Sequence, residues 1–152
     1  MRAIRVPQYG GPEAMRLEDL PTPRPGPGQA LVRIEAAGVN FIDVYQRVGL
    51  YKGTLPVPLG LEGAGTVEEV APGVTTVKVG ERVAWTGVPG SYATHNVVPA
   101  DRLVTLPSGL DARAGAAAML QGMTAHYLAH STYPLKSGDA CLVHAAPTSW
   151  WW

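Results

Sequence analysis

The fold-deciding stretch is PLGLEGAGTVEEVAPGV, residues 58–74. Its second half, Gly65 to Val70, has the composition of a strand, and the Ala71-Pro72-Gly73 tripeptide after it is typical of a turn. Its first half, GLEGAG, has a GxxGxG spacing. A phosphate-binding loop needs a strand before such glycines and a helix after them, whereas turns and strands surround these. We therefore interpret the stretch as part of a β-domain, with Glu62 as a buried, hydrogen-bonded structural acid near a cleft and without a catalytic role.

Short strand patterns lie on both sides of this stretch. Ala30 to Ala36 alternates apolar and polar residues, as half-buried strands do. Residues 21–28 contain four prolines that lack backbone donors, so a rigid surface connection is expected there. The remaining strand candidates are residues 1–5, 17–20, 82–85, 91–98 and 101–106. Their spacing of roughly 8–12 residues, with turns between them, predicts a small antiparallel barrel or sandwich.

Helical patterns occupy two places. A short helix is predicted from about Asn40 to Arg47, where the side-chain oxygen of Asn40 can accept a free N–H of the first turn. From Ser108 the chain becomes rich in alanine, with Asp111 as a helix N-cap candidate. Glycines at 115 and 122 each disfavour a helix by about 1 kcal/mol relative to alanine. Two short helices that break near residues 121–123 are therefore expected.

The run ACLVHAA, residues 140–146, is apolar apart from His144. Such a continuous run is typical of a parallel strand that is covered on both faces. The sequence thus predicts a mainly β unit that leads through helices into the first strand of an α/β unit, with the boundary near residues 110–120. Cys141, which lies between apolar neighbours, is expected to be a buried, inert thiol.

Composition narrows the function classes. The 152 residues contain 12 basic and 12 acidic side chains, and they are 46% hydrophobic and 16% charged. This balance favours neither nucleic acid nor an anionic membrane as a partner, and no apolar stretch is long enough to span a bilayer. The amino terminus lacks the apolar core of a signal peptide, and one cysteine suits a reducing compartment. A cytoplasmic location is expected.

Six stretches in a fixed order carry a family resemblance. They are AAGVNFIDVYQRVGLY, PLGLEGAGTVEEVAPGV, VGERVAW, GSYATHNVVPADRLVTLP, GMTAHYL and GDACLVHAA, which lie between residues 36 and 146. Together they resemble the amino-terminal portion of the zinc-free quinone oxidoreductases of the medium-chain dehydrogenase/reductase superfamily. The resemblance implies a GroES-like catalytic domain at residues 1–115. It also implies connecting helices and the first strand of a truncated Rossmann domain at 116–146.

The same resemblance implies an oxidoreductase that transfers a hydride from NADPH to a quinone. By resemblance, Asn40, Tyr45 and Thr124 lie near the nicotinamide, as catalytic and cofactor-binding residues, while Asp43 and Tyr51 lie in the substrate cleft. Other interpretations remain open from the residues themselves. Asn40 can simply cap the helix, Asp43 can pair with Arg47, and the tyrosines can belong to the core with one wet edge.

No metal site is expected. Alcohol dehydrogenases of the superfamily have a zinc-binding cysteine where this chain has Asn40, and a histidine where it has Leu61. Zinc needs cysteine, histidine or carboxylate ligands, and a single cysteine cannot form a four-cysteine zinc lobe. His126 and His130 are four residues apart, which is compatible with metal binding, but surface or core histidines are expected without further ligands.

Two other functions stay open, as does the meaning of the final residues. An enoyl reductase of fatty acid or polyketide synthesis belongs to the same superfamily and also lacks zinc. A non-catalytic GroES-like binding module is the rival of a different class. The closing PTSWWW stands where family members have a glycine-rich pyrophosphate turn, so residues 147–152 are expected to be a non-native tail on a truncated enzyme that is inactive alone. The complete protein is expected to bind a small quinone or enoyl substrate and can form a homodimer.

Overall fold

The computed structural model describes residues 1–143, which form two antiparallel sheets and a carboxy-terminal helical segment. The first sheet has the order β2–β1–β4 and the second the order β7–β3–β5–β6–β8. The strands are β1 (Arg2–Val6), β2 (Arg16–Asp19), β3 (Gln29–Ala37), β4 (Val57–Pro58), β5 (Glu62–Val70), β6 (Arg82–Thr86), β7 (His95–Pro99) and β8 (Val104–Thr105). The α-helices are α1 (Phe41–Val48), α2 (Ala112–Ala117) and α3 (Met123–His126). The predicted mainly β architecture is therefore confirmed, as two open sheets.

The two sheets are connected by the segment before β7. Residues 91–94, predicted as the first half of a strand, form no continuous strand. Instead, the Ile4 N–H donates to the carbonyl of Tyr92, and the Ile34 N–H donates to the carbonyl of Thr94. An isolated bridge joins Ala3 to Ala93. The segment divides its backbone hydrogen bonds between the two sheets, which is why it cannot extend β7.

Strand β5 lies at the centre of the larger sheet and begins at Glu62, three residues earlier than predicted. Its glycines allow close approach of neighbouring groups. A Cβ on Gly65 would lie 1.9 Å from the Arg33 carbonyl oxygen, and one on Gly63 would lie 2.8 Å from the Trp85 ring. The GxxGxG spacing is therefore a packing pattern within a strand, and the rejection of a phosphate loop is confirmed.

An apolar core stabilises one face of the larger sheet. Trp85 and Val83 of β6 are fully buried and pack with Val32 of β3 and Val67 of β5. Burying such side chains stabilises the fold by about 1.5–3 kcal/mol each. Ala84, which lies between Val83 and Trp85, is buried on the opposite face, where it packs against α2.

The carboxy-terminal segment stays helical from Ala112 to Thr132, so the predicted break near residues 121–123 is wrong. The backbone instead alternates between α-helix and two π-helical segments, Ala118–Gly122 and Tyr127–Thr132. The Leu120 N–H in the first π-helical segment donates to the side chain of Glu62. A side chain from β5 thus enters the helical hydrogen-bond ladder, a known cause of such irregularity.

The described part of the predicted strand at residues 140–146 forms no strand, and the rest lies outside the described residues. Asp139 to Val143 have no strand pairing, and Cys141 is exposed. A parallel strand is stable only when neighbouring strands bind its backbone, and no strand of the described sheets lies beside it. The prediction of a buried Cys141 is therefore wrong. No helix within residues 1–143 has both the length and the apolarity to cross a membrane.

Gly65→Ala is expected to lower the free energy of unfolding by about 3 kcal/mol, since the new methyl group must displace the backbone of β3. Gly53→Ala is the matched control, because a Cβ there makes only ordinary contacts with Val57. Urea denaturation measures both variants. Equal stability of the two would contradict the packing role of Gly65.

Candidate functional site

A fully buried carboxylate joins the sheet to two other parts of the chain. Glu62 has no solvent-exposed surface. Its Oε1 accepts a hydrogen bond from the Asn40 side-chain amide at 2.7 Å, and its Oε2 accepts one from the Leu120 N–H at 2.7 Å. Buried charges require such partners, so the expectation that Glu62 is a buried, hydrogen-bonded acid is confirmed.

Asn40 occupies the N-cap position of α1, with extended backbone angles, as predicted. Its side chain also makes contacts outside α1, because Nδ2 donates to Glu62 and Oδ1 accepts from the Gln121 Nε2 at 3.2 Å. The Asn40 N–H donates to the Asp43 carboxylate at 2.8 Å, as part of a capping box at the start of α1. Asn40 is therefore held by the sheet and the helical segment together.

Gln121 belongs to the hydrogen-bonded network around Glu62, and the sequence did not identify it as a site residue. It is separated from Asn40 by 81 residues, and no local periodicity connects positions so far apart. The only available signal was its place directly before GMTAHYL, one of the stretches that carry the resemblance.

Asp43, expected in the substrate cleft, is buried, with only 5% of its surface exposed. Its Oδ2 accepts from the Asn40 N–H and from the Tyr92 hydroxyl, the latter at 2.7 Å. The alternative of an ion pair with Arg47 is not observed, since the Arg47 guanidinium donates to the Gly10 carbonyl at 3.3 Å. Asp43 thus fastens the start of α1 to the loop before β7.

Burial and the hydrogen bond to Asp43 also change the pKa of the Tyr92 hydroxyl. Burial, followed by the hydrogen bond to Asp43 and the negative charges of Asp43 and Glu62, raises the pKa of Tyr92 well above its ordinary value of 10.0. The neutral phenol is the form that can donate to the carboxylate.

The two candidate tyrosines lie together on the surface beside α1. The Tyr45 ring is half-buried and packs edge-on against Phe41 and against Tyr51, each with ring centroids 5.6 Å apart. Tyr51 is 54% exposed. Both tyrosines therefore have a solvent-exposed edge, as the alternative interpretation expected. Their rings form an aromatic surface on which a planar ligand can pack. No hydrogen bond within the described chain links it to Asn40.

Thr124 lies one helical turn after Leu120 and is exposed. Its hydroxyl donates to the Leu120 carbonyl at 2.7 Å, so its proton is used within the helix while its oxygen remains available as an acceptor. Thr124 and Asn40 are therefore connected through Leu120 and Glu62 rather than by direct contact.

Residues 1–143 contain no group of three or more histidine, cysteine, aspartate or glutamate side chains that could hold a metal ion. The His126 and His130 rings lie with centroids 4.4 Å apart on the exposed helical segment. His144 lies outside the described residues.

Open grooves lie beside the network. One, of about 340 Å³, is lined by Asn40 and Asp43 together with apolar side chains that include Val44 and Leu59. Another, of about 610 Å³, lies between β1 and the end of β3. It is lined by Val39, the neighbour of Asn40, but by none of the predicted site residues. The described chain therefore does not enclose its candidate site.

Tyr92→Phe is expected to lower the free energy of unfolding by about 1–2 kcal/mol at pH 8, because Asp43 loses a donor. The raised pKa means that the folded state holds its proton above pH 10 while the unfolded state releases it. The stability from Tyr92 is therefore complete below pH 10 and declines as the pH rises further. Denaturation from pH 8 to pH 11.5 should show the difference between wild type and Tyr92→Phe becoming smaller; a constant difference would contradict the assignment.

The comparisons with known proteins agree on one family. Residues 26–108 match the alcohol dehydrogenase GroES-like domain. The chain is 47% identical over 147 residues to a quinone oxidoreductase of Pseudomonas aeruginosa, covering 95% of this chain and 45% of that protein. It is 45% identical over 151 residues to a 2-haloacrylate reductase of a Burkholderia species, again covering 95% of this chain and 45% of that protein.

A mycobacterial protein solved in complex with NADPH has the same fold, with a TM-score of 0.87 and 45% identity over 91% of this chain and 44% of that one. The chain spans about half the length of the curated relatives it matches. The expected resemblance is thereby confirmed: the chain is a homologue of quinone oxidoreductases and belongs to the alcohol dehydrogenase GroES-like family of the medium-chain dehydrogenase/reductase superfamily.

Proposed function

We propose that this chain is the substrate-side half of an NADPH-dependent oxidoreductase that reduces a quinone without zinc. The observation that carries the proposal is the match of 91% of the chain, at a TM-score of 0.87, to a protein solved with NADPH bound. The quinone as acceptor is supported by the 47% identity to a quinone oxidoreductase.

The chemistry of the site suits the nicotinamide end of this cofactor. A bound NADPH supplies the hydride, and the chain's task is to hold the reacting groups in place and exclude water. The Asn40–Gln121 amide pair and the Thr124 oxygen can hydrogen-bond a carboxamide, and the half-buried Tyr45 ring offers a face for packing. Tyr51, beside Tyr45, is placed to meet the substrate, while Asp43 orders the start of α1 from inside.

Zinc-independence is supported by what the side chains at the site already bind. Asn40 and Leu61 stand at the two positions where a zinc-dependent relative has ligands, and neither side chain is a zinc ligand. The carboxylates of Glu62 and Asp43 accept hydrogen bonds from N–H and O–H donors of the protein. A metal ion would have to displace these donors.

The extent of the cofactor site supports a division of the protein into two domains. We propose that residues 1–115 form the catalytic domain and that residues 116–146 lead into the nucleotide-binding domain. None of the proposed site residues is basic, so the pyrophosphate needs groups from the other domain. We propose that the complete protein is cytoplasmic, acts on a small-molecule substrate and is able to form a homodimer.

The 152-residue chain alone should therefore bind NADPH too weakly for saturation at micromolar concentration. Titration followed by NADPH fluorescence checks this expectation, with the complete oxidoreductase as the positive control. Micromolar binding by the isolated chain would contradict the division of the site between two domains.

In the complete enzyme, Asn40→Ala should lower kcat/KM for 1,4-benzoquinone by about tenfold to a hundredfold, because a buried carboxylate loses its partner and the site loses an amide. Gln8→Ala is the control, since Gln8 is exposed and no hydrogen bond within residues 1–143 joins its side chain to Asn40. If Asn40→Ala leaves the activity unchanged, Asn40 is not part of the catalytic site.

The same assay separates the rival functions. A higher kcat/KM for a crotonyl thioester than for 1,4-benzoquinone would identify an enoyl reductase. The absence of hydride transfer to either, with the fold intact, would favour the non-catalytic binding module.

A further inference from the structure

Glu62, Asn40 and Gln121 form a chain of hydrogen bonds whose direction is fixed at one end. A carboxylate only accepts hydrogen bonds, and both oxygens of Glu62 are engaged at 2.7 Å. The group that Asn40 turns toward Glu62 must therefore be its NH₂ group. The fixed charge decides which end of the Asn40 amide faces outward.

The same reasoning passes to the next residue. With Nδ2 directed at Glu62, the Oδ1 of Asn40 faces Gln121, and an amide oxygen can only accept. Gln121 must then present its own NH₂ group to Asn40, which agrees with the 3.2 Å contact from Nε2. Each amide in the chain therefore has one permitted orientation.

Gln121 is the exposed end of this chain. Over residues 1–143 its side chain makes one hydrogen bond, to Asn40. Its Nε2 carries a second N–H that this bond does not use. The end of the network that meets solvent is therefore a polarised donor, of the kind that stabilises a carbonyl oxygen as it gains negative charge.

We propose that Glu62 is a positioning residue that fixes the polarity of the Asn40 and Gln121 amides, and that Gln121 donates its free N–H to a carbonyl oxygen of the bound ligand. Glu62 itself touches no ligand and acts through Asn40. The proposal rests on the proposed function for the identity of the carbonyl ligand, a quinone or a nicotinamide carboxamide, but not for the polarity of the chain.

Glu62→Gln tests the polarity with almost no change in shape. The new side chain must keep its oxygen toward the Leu120 N–H, so it turns its NH₂ group toward Asn40. Asn40 then presents Oδ1 to residue 62 and Nδ2 to Gln121, which reverses every amide in the chain. Glu69→Gln is the matched control, because Glu69 is an exposed residue of the same strand.

The double variant Glu62→Gln/Asn40→Asp restores the original direction with the same net charge. Here the NH₂ group of residue 62 donates to the new carboxylate at position 40, and that carboxylate accepts from Gln121 as before. A role confined to stability does not predict that Gln121 recovers its orientation in this variant.

The first readout uses the 152-residue chain without cofactor. In ¹⁵N NMR spectra, the wild type should show a through-hydrogen-bond coupling from the Asn40 Nδ2 to the Glu62 carboxyl carbon. Glu62→Gln should abolish it and create a coupling from the residue 62 amide nitrogen to the Asn40 side-chain carbonyl. Retention of an Asn40 Nδ2 donor in Glu62→Gln would overturn the positioning role.

The second readout uses the complete enzyme. We expect kcat/KM for 1,4-benzoquinone to fall about tenfold or more in Glu62→Gln and to be unchanged in Glu69→Gln. The double variant, which lacks the Asn40 amide, is judged by the orientation of the Gln121 amide in the NMR spectra alone. Gln121→Glu, a surface change that keeps the shape but removes the donor, should cause a similar tenfold loss. Full activity of Gln121→Glu would overturn the donor role even if Glu62→Gln failed to fold.

The two readouts separate this proposal from the proposed function. If the complete wild-type protein reduces no quinone, the proposed function fails, and the NMR couplings alone decide the role of Glu62. If it reduces quinone but Glu62→Gln keeps full activity, the positioning role fails while the proposed function stands.

Discussion

A single buried carboxylate holds the candidate site to the fold. Glu62 begins the central strand, yet its two oxygens bind groups that lie 22 and 58 residues away along the chain. Charge-assisted hydrogen bonds of this kind are strong because both partners are removed from water. The cost of burying the charge is offset only while both donors stay in place. The sheet, the start of α1 and the first π-helical segment are therefore coupled at one point.

The glycines around Glu62 make this coupling geometrically possible. A Cβ on Gly38 would lie 2.0 Å from the Glu62 Oε1, and Gly65 allows the backbone of β3 to approach β5. The pattern GLEGAG is thus a requirement of packing around a buried charge. It resembles a nucleotide loop in spacing only, because the surrounding backbone is extended.

Sequence reasoning succeeded where local chemistry decides the structure. The alternation of Ala30 to Ala36 predicted β3, and the turn at Ala71-Pro72-Gly73 marked the end of β5. It failed where distant groups compete for the same atoms. No local pattern indicated that Glu62 and Gln121 bind the Asn40 side chain, and the predicted helix break near residue 121 is a π-helical segment that contacts Glu62. Cys141 was expected to be buried because its neighbours are apolar, although burial also requires strands beside it.

The hydrogen bond from the Leu120 N–H to Glu62 also limits where the chain tolerates insertions and deletions. Each residue in a helix rotates its successors by about 100° and advances them by about 1.5 Å. Inserting or deleting one residue between the Asp111 cap and Leu120 would turn both the Leu120 N–H and Gln121 away from β5. Loops such as residues 21–28 can accept insertions during evolution or in protein engineering, whereas the number of residues between positions 111 and 121 cannot change without breaking the contact with Glu62.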